Sequence, residues 1–313
     1  AGAEGRKGRV SPYLTPATGI PMSLPDLYWF GEEAVIRAMS PLTPLLGGNP
    51  YRSVLVVSTT FWLLVNLLGH FISLPLSATY RRMHAERRDR AEWTTRIAST
   101  IHALWGTYAS FYVFYTFPSL LTENILVPNF HARLTIAISA GFFLADLIIV
   151  ISLWKYMANA GPMVIHHLCG IFGFHCPLEF EGVDALPLIF LITEFSTPFI
   201  NIRYYQLETG SKGSKLYVAN ALVMSLAFWV VRVMIMPAQW ALAYGNTPRL
   251  VSNWHWWPGV CIVTGMTAVT FLNLLWFYMI IQGFMDRYLL VGRETTEFEV
   301  VRTEHLREKQ KAE

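Results

Sequence analysis

Apolar residues run along this chain in long blocks, with neither the 3.6-residue nor the two-residue rhythm of an element half-exposed to water. Seven blocks approach the roughly 20 residues that a helix needs to cross bilayer hydrocarbon. They cover residues 53–76, 97–118, 132–154, 163–177, 185–205, 216–240 and 258–285. Backbone groups in lipid must be bonded within their own segment, so blocks of this length are predicted to be helices. Strands of a membrane barrel would be shorter and would alternate. The fourth block is short, interrupted by Gly and dotted with His and Cys. The expected fold is an all-α, polytopic transmembrane helix bundle of about seven spans. It divides into an N-terminal extension (1–50), a first transmembrane helix with its basic loop (51–96), a six-helix membrane domain (97–288) and a charged C-terminal tail (289–313).

Composition agrees with the pattern. Of 313 residues 53% are hydrophobic and only 14% charged, whereas an ordinary soluble domain is about one-quarter charged. Three Cys exclude a disulfide scaffold, and a net charge of +3 gives no reason to expect a nucleic-acid partner. The distribution of charge says more than its sum. With seven spans, 16 of the 24 Lys and Arg residues fall on the side that holds the C-terminus, including Arg81, Arg82, Arg87, Arg88, Arg90 and Arg96. Arg232 falls inside a span, and the other seven lie on the opposite side. By the positive-inside rule the C-terminus is expected on the cytoplasmic side, or the matrix side of an organelle. The expected membrane is the endoplasmic reticulum or the mitochondrial inner membrane.

The segment before the first span reads differently. It begins without Met, which is read as a processed or partial chain, and has no apolar core of a signal peptide. Ser23, with Asp26 three positions on, resembles a helix start. The mixture of Leu27, Trp29 and Phe30 with Glu32, Glu33 and Arg37 suits either a helix lying at the interface or an irregular arm docked on a partner.

Ionisable groups at membrane depth are costly and need a partner or a role. Here they are His70, His102, Asp146, His166, His167, His175, Glu194 and Arg232. Arg232 requires a carboxylate, and Asp146 and Glu194 are the available ones. The pair either fixes helix register or serves function; the alternative for Asp146 is a bond to a neighbouring helix. In the fourth block His166, Cys169 and Cys176 are separated by three and then seven residues, which invites a zinc reading. Structural zinc closes four ligands, and no second half-site is present, so neither metal nor cofactor is expected. The fifth block contains Thr193-Glu194-Phe-Ser196-Thr197-Pro198-Phe-Ile-Asn201-Ile-Arg203. Pro198 removes a backbone donor and is expected to bend the helix near Glu194. Glu194, Thr197 and Asn201 then form one polar stripe, fit either for a lipid headgroup or for interhelical hydrogen bonds.

These residues carry a resemblance. Ser99-Thr-Ile-His102-Ala, Phe142-Phe-Leu-Ala-Asp146-Leu, His166-His167-Leu and the Glu194-to-Arg203 segment resemble, in order and spacing over about residues 96–288, the TLC-domain family of multi-span membrane proteins. That family includes the ceramide synthases, although the Glu-x-Ser-Thr-Pro-Phe-x-Asn stretch is closer to the less characterised members. The resemblance implies a helical membrane bundle working on sphingoid bases, acyl chains or phospholipid composition. His166 and His167 match the His pair of the synthases. Their later His-Asp has no match, since Glu181-Gly-Val-Asp184 holds no His, and this departure speaks against acyl transfer. On this reading His166, His167 and Asp146 are the catalytic candidates, with His166 the base, His167 its support and Asp146 the orienting acid. Glu194, Thr197, Asn201, Arg203, Arg232 and His102 are the lipid-binding candidates. The expected function is binding or handling of long-chain membrane lipid. The alternative is a non-catalytic accessory subunit of a larger, organellar membrane complex, contacting other membrane subunits through the N-terminal arm.

Overall fold

A computed structural model of the chain describes residues 32–83, 89–122, 128–157, 160–180, 183–253 and 256–288. The expected helix start at Ser23, the Glu181 position and the tail from 289 lie outside the described residues. The chain divides into two units, Ala1–Ala38 and Met39–Glu313. Helix α1 (Glu32–Met39) carries Arg37 in its last turn, where a cation complements the helix dipole.

Among the described residues of the second unit, the regular elements are all helices. Its helices are α2 (Pro50–Leu76), α3 (Ala78–Arg82), α4 (Asp89–Thr116), α5 (Phe130–Ser152), α6 (Ala160–Glu179), α7 (Ala185–Ile192), α8 (Thr197–Glu208), α9 (Lys215–Phe228), α10 (Met236–Asn253) and α11 (Trp256–Tyr288). Among the described residues, five stretches are long and apolar enough to cross a membrane: Pro50–Leu76, Phe130–Ser152, Ala185–Glu208, Lys215–Asn246 and Gly259–Met285. They correspond to five of the seven blocks. The other two blocks are helical as expected, in α4 and α6, but fall outside that group. α4 is rich in Thr, Ser, Ala and aromatic residues, and α6 is diluted by Gly, Pro and His.

Local chemistry sets the helix ends. Asn49 accepts a hydrogen bond from the Tyr51 amide ahead of Pro50 at the first turn, and Asn129 caps α5 through the Ala132 amide. Ser77 ends α2 in an extended conformation and caps α3 by accepting from the Tyr80 amide.

α5 is the hub, packed against α2, α4 and α6, while α11 packs on α6. The inner face of α2 is polar or small: Ser53, Ser58, Asn66, Gly69 and Ser73 are buried with Trp62. Its outer face carries Phe61, Leu64, Leu67, Leu68 and Phe71, each more than half exposed. That distribution suits lipid as the solvent, where small residues let helices approach and apolar ones face outward. The approach is closest at Gly141 of α5, where an added Cβ would lie 2.6 Å from Ser58 Cβ and 2.8 Å from the Leu55 carbonyl oxygen. Ser58 uses the closeness to donate to the Ile138 carbonyl at 2.8 Å.

At one end of the bundle, Arg52 of α2 makes a two-pronged bond to Glu179 of α6, both contacts at 2.7 Å. Arg133 of α5 donates to the Pro177 carbonyl, and its guanidinium lies 3.9 Å from Asp184. Asp184 is fully buried and accepts from the Asn129 amide at 2.8 Å. In the Glu181-to-Asp184 stretch, therefore, the described acid braces α5 against the start of α7.

Candidate functional site

Two irregularities in otherwise apolar helices build the site. Between α7 and α8 the helix tightens into a 3-10 turn, Thr193–Ser196, immediately before Pro198. Pro198 has no amide to donate, and neighbouring side chains take up carbonyls around it. Thr193 donates to the Phe190 carbonyl at 2.6 Å and Ser196 to the Thr193 carbonyl at 3.2 Å. The turn leaves Glu194 buried and facing inward. The second irregularity is a π-helical turn, Trp229–Met234, that joins α9 to α10 and holds Arg232 buried. Such wide turns often mark functional positions.

Arg232 meets Glu194 rather than Asp146. Its Nη2 lies 3.1 Å from Glu194 Oε1 and 3.1 Å from Thr197 Oγ1, its Nε donates to Ser196 Oγ at 2.8 Å, and its Nη1 reaches Asn273 Oδ1 at 3.4 Å. Thr197 in turn donates to Glu194 Oε2 at 2.6 Å. Lone ions at this depth would be prohibitive, whereas this pair has most of its lone pairs and protons matched. The Ser196 hydroxyl accepts from Arg232 and donates to Thr193, so it is engaged in both directions.

Asp146 belongs to a second set. Its Oδ2 lies 2.7 Å from His167 Nε2, and Oδ1 accepts from the Thr95 hydroxyl. The other His167 nitrogen, Nδ1, donates to the Met163 carbonyl at 2.7 Å. A carbonyl only accepts, so Nδ1 carries a proton, and His167 Nε2 and Asp146 share a single further proton between them. The pair is neutral overall wherever that proton sits.

The two sets meet at the adjacent histidines, whose rings stand edge to face with centroids 5.4 Å apart. His166 Nε2 lies 3.8 Å from Glu194 Oε1, too far for a hydrogen bond, and its buried Nδ1 has no hydrogen-bond partner among the described residues. Phe143, Phe190 and Trp276 surround the ring. Of the catalytic candidates, then, it is His167 that Asp146 holds, while His166 faces Glu194 and Trp276.

Three other candidates stand apart from this centre. His102 is fully buried and stacks on Phe142 at 3.9 Å, with neither ring nitrogen bonded among the described residues. Asn201 ties α8 to α4, donating to Thr100 Oγ1 at 2.9 Å and to the Arg96 carbonyl at 3.2 Å. Arg203 lies over the Tyr217 ring. Asn201 thus realises the interhelical side of the expected stripe, and Glu194 with Thr197 its inward side.

Beside the centre, α6, α7, α10 and α11 line a small, partly open cavity of about 70 Å³. Phe174, Val183, Leu186, Phe190, Ile262 and Val269 give it an apolar wall, and Gly170 and Gly173 open its α6 side. Its polar groups include Gln239, Thr270 and Asn273, and Asn273 is the residue that accepts from Arg232. Thr95 and Thr270 were not candidates from sequence: Thr95 precedes the second apolar block, and Thr270 is a neutral hydroxyl inside the seventh, with no insertion cost large enough to draw notice. Asn273 is a polar group of the same span, three residues on from Thr270. Cys169 and Cys261 also line the cavity, and all three cysteines are free thiols.

Residues 92–282 match the model of the TLC domain family. The chain is 28% identical to TLC domain-containing protein 4-A of Xenopus laevis over 230 residues, covering 72% of this chain and 86% of that protein. It is 25% identical to TLC domain-containing protein 4 of Homo sapiens over 231 residues, 72% of this chain and 85% of that one. Protein CLN8 of Mus musculus is 25% identical over 229 residues, or 72% and 78%. No solved structure matches the chain.

Proposed function

The chain belongs to the TLC domain family of integral membrane proteins, and we propose that it binds a long-chain lipid between α6, α7, α10 and α11. The acyl chain lies along the Phe174, Leu186 and Val269 wall, and the head sits at the Asn273 end, next to the Arg232–Glu194 pair. One observation carries this reading: the cavity is apolar along its walls and meets a buried polar network at Asn273. Sites for small molecules have this form, mostly apolar with a few placed polar groups. The orientation expected from the basic loops accompanies the proposal, with the C-terminus on the cytoplasmic or matrix side.

The test is Gly173→Leu. A Cβ at Gly173 would meet nothing within 4 Å, so the larger side chain fills the cavity without pressing on the helices. Lipids extracted from the purified wild-type protein should include a species retained at near-equimolar amount. The variant, monodisperse and equally stable, should lose it. Retention of the same species at the same amount by both proteins would refute the proposal.

A further inference from the structure

The charges around the cavity identify the class of head that it accepts. None of the described side chains that line it is Asp, Glu, Lys, Arg or His. Arg232 is the nearest cation in the network, and it is engaged. Glu194 offsets its charge at 3.1 Å, and four of its five N–H directions go to Ser196, Glu194, Thr197 and Asn273. A phosphate or carboxylate head would enter without a counter-charge, and burying an unpaired ion is the costliest case of all.

What the cavity offers instead is neutral donors. Arginine only donates, so Asn273 turns its oxygen to Arg232. Its Nδ2 then has no acceptor among the described residues, although the side chain is only 2% exposed. Thr270 Oγ1 accepts from Trp240 Nε1 at 3.1 Å, which leaves its proton for another acceptor. Gln239 adds a second carboxamide. Resting on the lipid-binding reading above, we infer that the site takes a neutral, single-chain lipid whose head presents carbonyl or hydroxyl oxygens, such as a monoacylglycerol. The ester carbonyl accepts from Asn273 Nδ2, a head hydroxyl meets Thr270 and Gln239, and one chain fills the apolar wall.

Two photoactivatable, alkyne-tagged probes that share one acyl chain test this on the full chain in phosphatidylcholine nanodiscs. One is a monoacylglycerol and the other the corresponding lysophosphatidic acid. The neutral probe should label peptides spanning residues 169–174 and 261–273 about tenfold more than the anionic one. Asn273→Asp keeps an oxygen for Arg232 but removes the amide donors, and should abolish that preference. Gly173→Leu should suppress cavity labelling by either probe. Equal or stronger labelling of those peptides by lysophosphatidic acid would overturn this inference and leave the lipid-binding reading standing. Labelling by neither probe in the cavity, with labelling elsewhere on the protein, would overturn both.

Discussion

At residue scale the buried ions are worth most when considered in pairs. Removing Arg232 alone leaves Glu194 charged and unmatched, so Arg232→Met should destabilise the protein by about 3–5 kcal/mol. Adding Glu194→Gln removes the orphan charge, and the double variant should recover most of that loss; thermal unfolding in detergent, followed by size-exclusion chromatography, reads both. The Asp146–His167 pair behaves differently because one proton is shared between its members. Asp146→Asn can accept from Thr95 through its oxygen and donate to a neutral His167 through its amide, so it should cost only about 1 kcal/mol. Asp146→Ala leaves the His167 Nε2 stranded and should cost about 1–3 kcal/mol by the same assay. Comparable losses in the two variants would mean that the pair is held together as ions and not by a transferable hydrogen bond.

At the scale of elements, the long contact between α2 and α5 is tightest at one small residue, Gly141. Gly141→Ala puts a methyl 2.8 Å from the Leu55 carbonyl, which is backbone and cannot rotate away. It should cost about 1–3 kcal/mol, whereas Gly173→Ala, with open space around its Cβ, should cost nothing; parallel melting curves of the two variants check the contrast. The helices themselves were legible because block length in an apolar sequence maps directly onto span length. The charged members of the site were legible because each is expensive where it stands. What could not be read was rotation. His166 and His167 point about 100° apart on α6, and only the packing of α5 against α6 decides that Asp146 meets the second of them. The same holds for α8, where Asn201 turns to α4 while Thr197 turns to Arg232. The π turn left no mark, for residues 229–234 contain neither Gly nor Pro. Pro198, by contrast, announced the irregular turn beside Glu194.

At the scale of the whole molecule, the number of crossings sets the face on which each connecting segment lies. The proposed orientation puts the loop at 83–89, the segment at 209–214 and the C-terminus on one side. Single cysteines at these positions in a cysteine-free background should all react with a membrane-impermeant maleimide from the same face of sealed vesicles. Protection of both the 209–214 site and the C-terminus, with the 83–89 site still reactive, would mean that α4 or α6 does not cross. The outward apolar side chains and inward hydroxyls of α2 also change how sequence variants in this protein are to be judged. Exchanging Ser58 for Leu would look like a gain in a water-soluble protein. Here it forces bulk into a gap meant for a hydroxyl, while Phe71→Ser would bring a polar group before the fatty acyl tails. Tolerance scales learned on aqueous proteins would therefore rank both changes in the wrong direction, and genetic variation along this helix is better scored with the outside treated as oil.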